Sequence, residues 1–301
     1  MADMVQNPLT HLSEALAERA KLVHPAVAGI VMQQGHRTRS GVVWRKDVIV
    51  ASEQAFPDVA EARVSFADGT NLAAQVAGRD RGTNIIAFRA DGTPDPAPLA
   101  AAEPQPGALA LAFGSGQTGI AVRLGVIHSV GPAWHSRAGG RIDRRITLDI
   151  AVTRREEGGP VLDAGGGLLG ISTLGPRGSV LVIPRSTIDI VLEPLLSKGR
   201  VERGWLGVAV QPVLVPETLQ AAAGQSRGLM VMGVSKDGPA AQAAVHAGDI
   251  LVAIGGESVT SSAMVAQRLG PDSVGRQVEL CLIRAGQLLA FSATVGVRPS
   301  R

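Results

Sequence analysis

Short runs rich in valine and isoleucine, punctuated by glycine and proline, recur from residue 26 to residue 185. "AVAGIVMQ", "SGVVWR", "DVIVAS", "ARVSFA", "LAAQVAGRD" and "NIIAFRA" precede residue 91, and Asp68-Gly69 between two of them is a strong hairpin signal. "ALALAF", "IAVRLGVIHSV", "RRITLDIAV", "GPVLDA", "GLLGISTL" and "SVLVIP" follow residue 107. Between the two series, "DGTPDPAPLAAAEPQPG" holds too much proline to pair as a central strand and reads as a connector. Six strands joined by turns suit a small closed barrel, which leaves no exposed sheet edge. The chain therefore reads as mainly β, with half-barrels over about 26–90 and 108–185 in a double β-barrel spanning 26–198, closed by a helical "STIDIVLEPLLSKG".

The flanks differ. Asn7-Pro8 is a helix cap and first-turn proline, and Leu9, Leu12, Leu16, Ala20 and Val23 recur at three- and four-residue spacings, so residues 1–25 form an amphipathic helical segment. After Gly199 the pattern mixes strands ("GWLGVAVQPV", "GLMVMGVS", "ILVAIGGESV"), an alanine-rich helix in "GPAAQAAVHAGD", a short helix in "SSAMVAQRLG" and a closing hairpin. Residues 203–298 thus make a separate small α+β module.

Composition excludes several functions. Aromatic residues are 3% of the chain and tyrosine is absent, which removes the stacking platforms that single-stranded nucleic acid favours, so no nucleic-acid partner is expected. Cys281 is the only cysteine; it permits no intramolecular disulfide and no cysteine-based metal cluster. His11, His24, His36, His128, His135 and His246 stand in no metal-ligand spacing and beside no reactive serine or cysteine, so neither metal nor cofactor is expected. The N-terminus lacks a long apolar segment behind a basic start, which points to a cytoplasmic chain without membrane insertion, or to a periplasmic one if the chain is a processed mature form.

The order of several segments resembles the HtrA (Deg) proteases, which join a trypsin-like double barrel to C-terminal PDZ domains. "HPAVAGIV", "SGVVW", "ADGTNLAAQVAGRDRGTNIIAF", "LAFGSG", "LDIAVTRREEGGPVLDAGGGLLGIST", "VERGWLGVAVQPV" and "PAAQAAVHAGDILVAIGGESV" carry the likeness over nearly the whole chain. The family's catalytic histidine, aspartate and serine would fall on Gln54, Asn84 and Glu157. A flexible glycine that aims an amide at the oxyanion would fall on Arg155.

Acyl transfer by such a site needs a hydroxyl nucleophile, an imidazole base and an orienting carboxylate. Losing all three costs roughly a millionfold in turnover. The resemblance thus implies an inactive pseudoprotease acting as a peptide- or protein-binding scaffold, adaptor or chaperone; an active peptidase with a nonstandard catalytic group, or a structural subunit of a larger complex, are the alternatives. Glu156 and Glu157 read either as two solvated acids on a loop or with Glu157 plugging the cleft by pairing with an arginine.

A PDZ domain adds an extended peptide beside a sheet edge and holds a terminal carboxylate on the amides of a glycine-containing loop. By resemblance that loop is Trp205-Leu206-Gly207-Val208, the receiving strand is 208–213, and the facing helix is 261–269. Leu206, Val208, Val210, Met264 and Leu269 are the candidates for the apolar pocket, with an extended segment or C-terminus as ligand. The groove could equally be unused or occupied by its own chain. Family members commonly form trimers, so a homo-oligomer is also implied.

Overall fold

The computed structural model describes residues 7–32, 37–57, 59–95, 99–117, 119–136 and 138–299. The chain divides into two compact units, 1–200 and 201–301.

In the first unit, α1 (Pro8–Val23) opens with the Asn7 side chain accepting from the Leu9 N–H at 3.0 Å. Its Val23 is fully buried with Leu16 and Ala20 beside it, whereas Leu9 and Leu12 stay exposed. The first barrel comprises β1 (Val27–Met32), β2 (Thr38–Arg45), β3 (Val48–Ser52), β4 (Glu61–Ser65), β5 (Asn71–Asp80) and β6 (Ile85–Arg89), closed in the order β1-β2-β3-β6-β5-β4. Asp68-Gly69 turns β4 into β5, with Gly69 at φ +87° and the Asp68 carboxylate accepting from the Thr70 N–H.

The second barrel uses β7 (Leu109–Ser115) and β8 (Ile120–Gly131), then a small hairpin of β9 (Trp134–His135) and β10 (Arg141–Ile142). It continues through β11 (Arg145–Asp149), β12 (Pro160–Asp163), β13 (Leu168–Leu174) and β14 (Val180–Pro184), closing as β11-β14-β13-β12-β7-β8. α2 (Arg185–Lys198) follows and ends on Gly199 in the left-handed conformation. Each barrel is filled by the inward residues of its strands: Ile30, Ile49, Ile86 and Phe88 in one, Ala110, Ile127, Ile146, Val161 and Val182 in the other, all essentially inaccessible to solvent.

The second unit contains β15 (Gly204–Trp205), β16 (Val208–Leu214), α3 (Glu217–Ala223), β17 (Arg227–Val234), α4 (Pro239–Gln242), β18 (Ile250–Ile254), β19 (Glu257–Ser258), α5 (Ser262–Arg268), β20 (Gln277–Arg284), β21 (Gln287–Thr294) and β22 (Gly296–Val297). The main sheet runs β16-β17-β18-β20-β21, so β16 is an edge strand. Pro212 is tolerated in β16 for that reason.

Two local expectations change. "GWLGVAVQPV" is not one strand but two, broken at Gly207, whose φ is +79°. The alanine-rich helix shrinks to α4, because Ala244 adopts φ +57° and the chain turns at 244–248 toward the buried Asp249. Asp249 accepts from the His246 N–H and receives two hydrogen bonds of 2.7 Å from Arg284. α3 joins β16 to β17 and ends on Gly224 in the left-handed conformation. No helix among the described residues is long and apolar enough to cross a membrane.

Candidate functional site

β3 ends at Ser52, the short helical turn Glu53–Ala55 carries Gln54, and the 80–84 turn carries Asn84. Asp80 shapes that turn: its carboxylate accepts from Gly82 N–H, Thr83 N–H and the Thr83 hydroxyl at 2.7–3.2 Å. Asn84 follows at φ +59°, a left-handed conformation that asparagine tolerates better than most side chains. Its Oδ1 accepts from the Gln54 N–H at 2.8 Å, and its Nδ2 donates to Thr173 Oγ1 at 2.8 Å and to Ser52 Oγ at 3.2 Å.

Glu157 reaches the same point from the second barrel. Its Oε1 accepts from Gln54 Nε2 at 2.5 Å and from Ser52 Oγ, Thr173 Oγ1 and Leu174 N–H, each at 3.1 Å. Gln54 Nε2 also donates to the Leu174 carbonyl at 2.8 Å. Gln54, Asn84 and Glu157 lie 30 to 103 residues apart in sequence, yet they form one hydrogen-bonded cluster with Ser52 and Thr173 where the barrels meet.

Both acids are buried, Glu156 at 6% and Glu157 at 4% exposure, so they are not solvated acids on a loop. Nor does Glu157 form an ion pair with an arginine among the described residues. Glu156 does, through Arg123 at 2.7 Å, with the Thr153 N–H as a further donor. The two neighbours thus part: Glu156 reaches Arg123 on β8 and Glu157 reaches the barrel junction. Burial pushes the Glu156 carboxyl up, but the hydrogen bonds from Arg123 and Thr153, with the Arg123 charge, outweigh it and hold the group below the ordinary carboxylate value.

The turn itself is tightly folded. The N–H groups of Glu156 and Glu157 both donate to the Thr153 carbonyl, at 3.0 and 3.1 Å. Arg155 is not in the left-handed region, and its Nε donates to the Ser115 carbonyl at 3.1 Å. An amide at residue 157 aimed at a substrate oxyanion would first have to leave Thr153.

Beside Gln54 and Asn84 a cavity of about 280 Å³ opens, with Trp134, Ile142, Leu181 and Ile183 on its apolar wall. That is just short of the ~300–1,000 Å³ of pockets for drug-sized molecules and ample for one or two side chains. Among the described residues, no group of three or more His, Cys, Asp or Glu could hold a metal ion. His36 lies outside the described residues.

In the second unit, α5 starts on the Ser261 cap and packs against β16. Leu206 and Leu269 are 2% and 6% exposed, within the core formed with Val231, Val265 and Leu282. Val208, Val210 and Met264 are partly buried against that core, on the strand and helix that would flank a peptide. At Gly207 a Cβ would stand 3.2 Å from the Trp205 ring, so Trp205 packs over the turn. The sequence candidates thus divide into buried core residues, Leu206 and Leu269, and partly buried ones, Val208, Val210 and Met264.

A trypsin-like peptidase domain model matches residues 39–171, and a PDZ domain model matches residues 204–295. A DegP-like periplasmic serine endoprotease of Brucella suis is 29% identical over 282 residues, covering 87% of this chain and 53% of that protein. The chain therefore spans about half the length of that curated relative. Among solved structures, the HtrA-type protease AlgW with a tripeptide is 26% identical, with a TM-score of 0.73, covering 95% of this chain and 98% of that one. The serine endoprotease from Yersinia pestis is 25% identical, with a TM-score of 0.74, covering 94% and 98%.

These relatives correct two readings. They are named serine endoproteases and HtrA-type proteases, which overturns the inference of an inactive scaffold from the three changed positions. Curated relatives are named periplasmic, which overturns the cytoplasmic assignment.

Proposed function

The chain belongs to the HtrA family, and from that premise we propose that it handles polypeptides, its PDZ unit taking an extended peptide beside β16. The observation that carries this reading is the free edge of β16 opposite α5, preceded by the Gly207 turn at φ +79°. An edge strand offers unpaired N–H and C=O groups at alternate residues, which an extended segment completes. Val208, Val210 and Met264 supply the apolar contacts, and the 205–208 loop is the place for a terminal carboxylate. The AlgW structures with bound peptides support a peptide as the ligand class.

The test is titration of the full chain with a peptide ending in an apolar residue, read by tryptophan fluorescence. Met264→Glu should weaken binding at least tenfold, and so should amidation of the peptide's C-terminus. Equal affinity in both comparisons would remove the groove as the binding site.

A second reading is favoured by the names of the relatives: an endopeptidase that uses a nonstandard catalytic group. With Gln54, Asn84 and Glu157 at the barrel junction, the available base is a carboxylate and the available oxyanion donor a carboxamide. In this chemistry a water enters between Gln54 and Glu157 and attacks the peptide carbonyl carbon as its proton passes to Glu157. Gln54 Nε2–H then stabilises the oxyanion, and the proton returns to the leaving amine as the C–N bond breaks. The 280 Å³ cavity beside Gln54 is where a substrate side chain would rest. Casein incubated with the full chain should yield new N-termini, and Glu157→Gln should lose at least a hundredfold of that rate. Wild-type cleavage no faster than that of Glu157→Gln excludes this chemistry.

A further inference from the structure

A second cavity, of about 170 Å³, is lined by residues of β1, β2 and the β7–β8 turn together with Arg155, and by none of the cluster described above. Its polar lining includes His24, Thr38, Ser65, Ser115 and Arg155, and no aspartate or glutamate lines it. Its volume is well under the ~300 Å³ at which pockets for drug-sized molecules begin, and fits a single small polar group.

Arg155 is the unusual member. Half-buried, it spends Nε on the Ser115 carbonyl, and no carboxylate among the described residues pairs with it. Arg284, which is also partly buried, by contrast holds the buried Asp249 carboxylate at 2.7 Å. Among the described residues neither Nη group of Arg155 has a hydrogen-bond partner, and Arg155 lines the cavity. Gly29 leaves room for two hydroxyls beside it: a Cβ there would stand 2.7 Å from Ser115 Oγ and 2.9 Å from Ser65 Oγ. Ser65 Oγ donates weakly to the Gly29 carbonyl at 3.2 Å, whereas the Ser115 and Thr38 hydroxyls make no hydrogen bond to the described residues.

The surroundings are basic. Arg37, Arg39 and Arg154 flank the same segments. Burial lowers the pKa of Arg39, Glu157 raises it, and Arg37 and Arg154 lower it, so these three guanidiniums stand within electrostatic reach of one another. A planar guanidinium with both Nη groups free matches the two oxygens of a carboxylate or phosphate.

We propose that this cavity binds an oxyanion, a carboxylate or a phosphate group held bidentately by Arg155, with Thr38, Ser115 and His24 as further donors. The site is separate from the PDZ groove and from the Gln54–Glu157 cluster, so it stands or falls without them.

Calorimetric titration of the full chain with inorganic phosphate, and separately with glutamate capped at both ends, tests it. At least one ligand should saturate. Phosphate binding identifies a free anion; binding of capped glutamate alone identifies a side-chain carboxylate of a polypeptide. Arg155→Ala should weaken the bound ligand at least tenfold and Arg155→Lys less, because an ammonium lacks the fork; Arg268→Ala should leave it unchanged. If Arg155→Ala does not fold, the double variant Thr38→Val, Ser115→Ala keeps the guanidinium and should weaken binding at least threefold. Absence of saturation by either ligand, or wild-type affinity in whichever variant folds, overturns the proposal.

Discussion

Gly158→Ala is expected to destabilise the first unit by about 3 kcal/mol or more, while Gly69→Ala costs only about 1 kcal/mol. The two glycines have similar backbone conformations, at φ +95° and +87°, so the strain of placing a side chain there is comparable. What differs is space. A Cβ at Gly69 meets nothing within 4 Å, whereas at Gly158 it would stand 2.3 Å from the Ser40 carbonyl oxygen and 3.0 Å from the Ser52 nitrogen. Both are backbone atoms of the first barrel, and they cannot turn aside as a flexible side chain could.

Gly158 is also tied on its other side, its N–H donating to the Ser172 carbonyl of the second barrel at 2.9 Å, while the Glu157 carbonyl accepts from Ser40 N–H at 3.2 Å. The turn is a clasp between the barrels, so relief of the clash must open their junction. Urea unfolding of the two variants beside the parent measures the contrast. Equal midpoint shifts would mean that the junction yields easily and that the clasp is not rigid.

The barrels were legible because each strand carries its own evidence. Val48 to Ala51 and Ile85 to Phe88 are apolar almost throughout, and all eight residues are buried in the paired strands of the first barrel. Local rules failed where a distant partner decides the conformation. "PAAQAAVHAGD" has every intrinsic reason to be helical, yet Arg284, some 35 residues on, fixes Asp249, and the chain turns at Ala244 to bring it there.

The candidate site divides in the same way. Gln54, Asn84 and Glu157 could be named from segment order, but not the hydroxyls of Ser52 and Thr173 that complete their cluster. The adjacent acids look alike in sequence. Only the fold shows that Arg123 belongs to Glu156 and that Glu157 is served by neutral donors. His24, Thr38, Ser65, Ser115 and Arg155 had no shared signal, being common residue types spread over more than 130 positions.

Glu157→Ala is expected to cost about 2–4 kcal/mol and Glu157→Gln about 1 kcal/mol. The alanine variant removes the single oxygen on which four donors converge, in a residue with 4% exposure. Some of those donors have other partners: Gln54 Nε2 keeps the Leu174 carbonyl, and Ser52 Oγ and Thr173 Oγ1 keep each other at 3.0 Å. The Leu174 N–H has no such substitute, and the vacated space lies among polar groups, where a water can enter and recover part of the loss. Glutamine keeps the accepting oxygen and the volume, and gives up the negative charge that faces Arg39. Urea midpoints should therefore rank wild type above Glu157→Gln above Glu157→Ala. This ordering makes glutamine the proper variant for the peptidase assay, because lost cleavage in a chain that still folds reports on the carboxylate, whereas the same loss in the alanine variant reports on the barrel junction as well. If alanine and glutamine prove equally stable, the four convergent hydrogen bonds contribute little net stability, and the cluster is held by the packing of the two barrels instead.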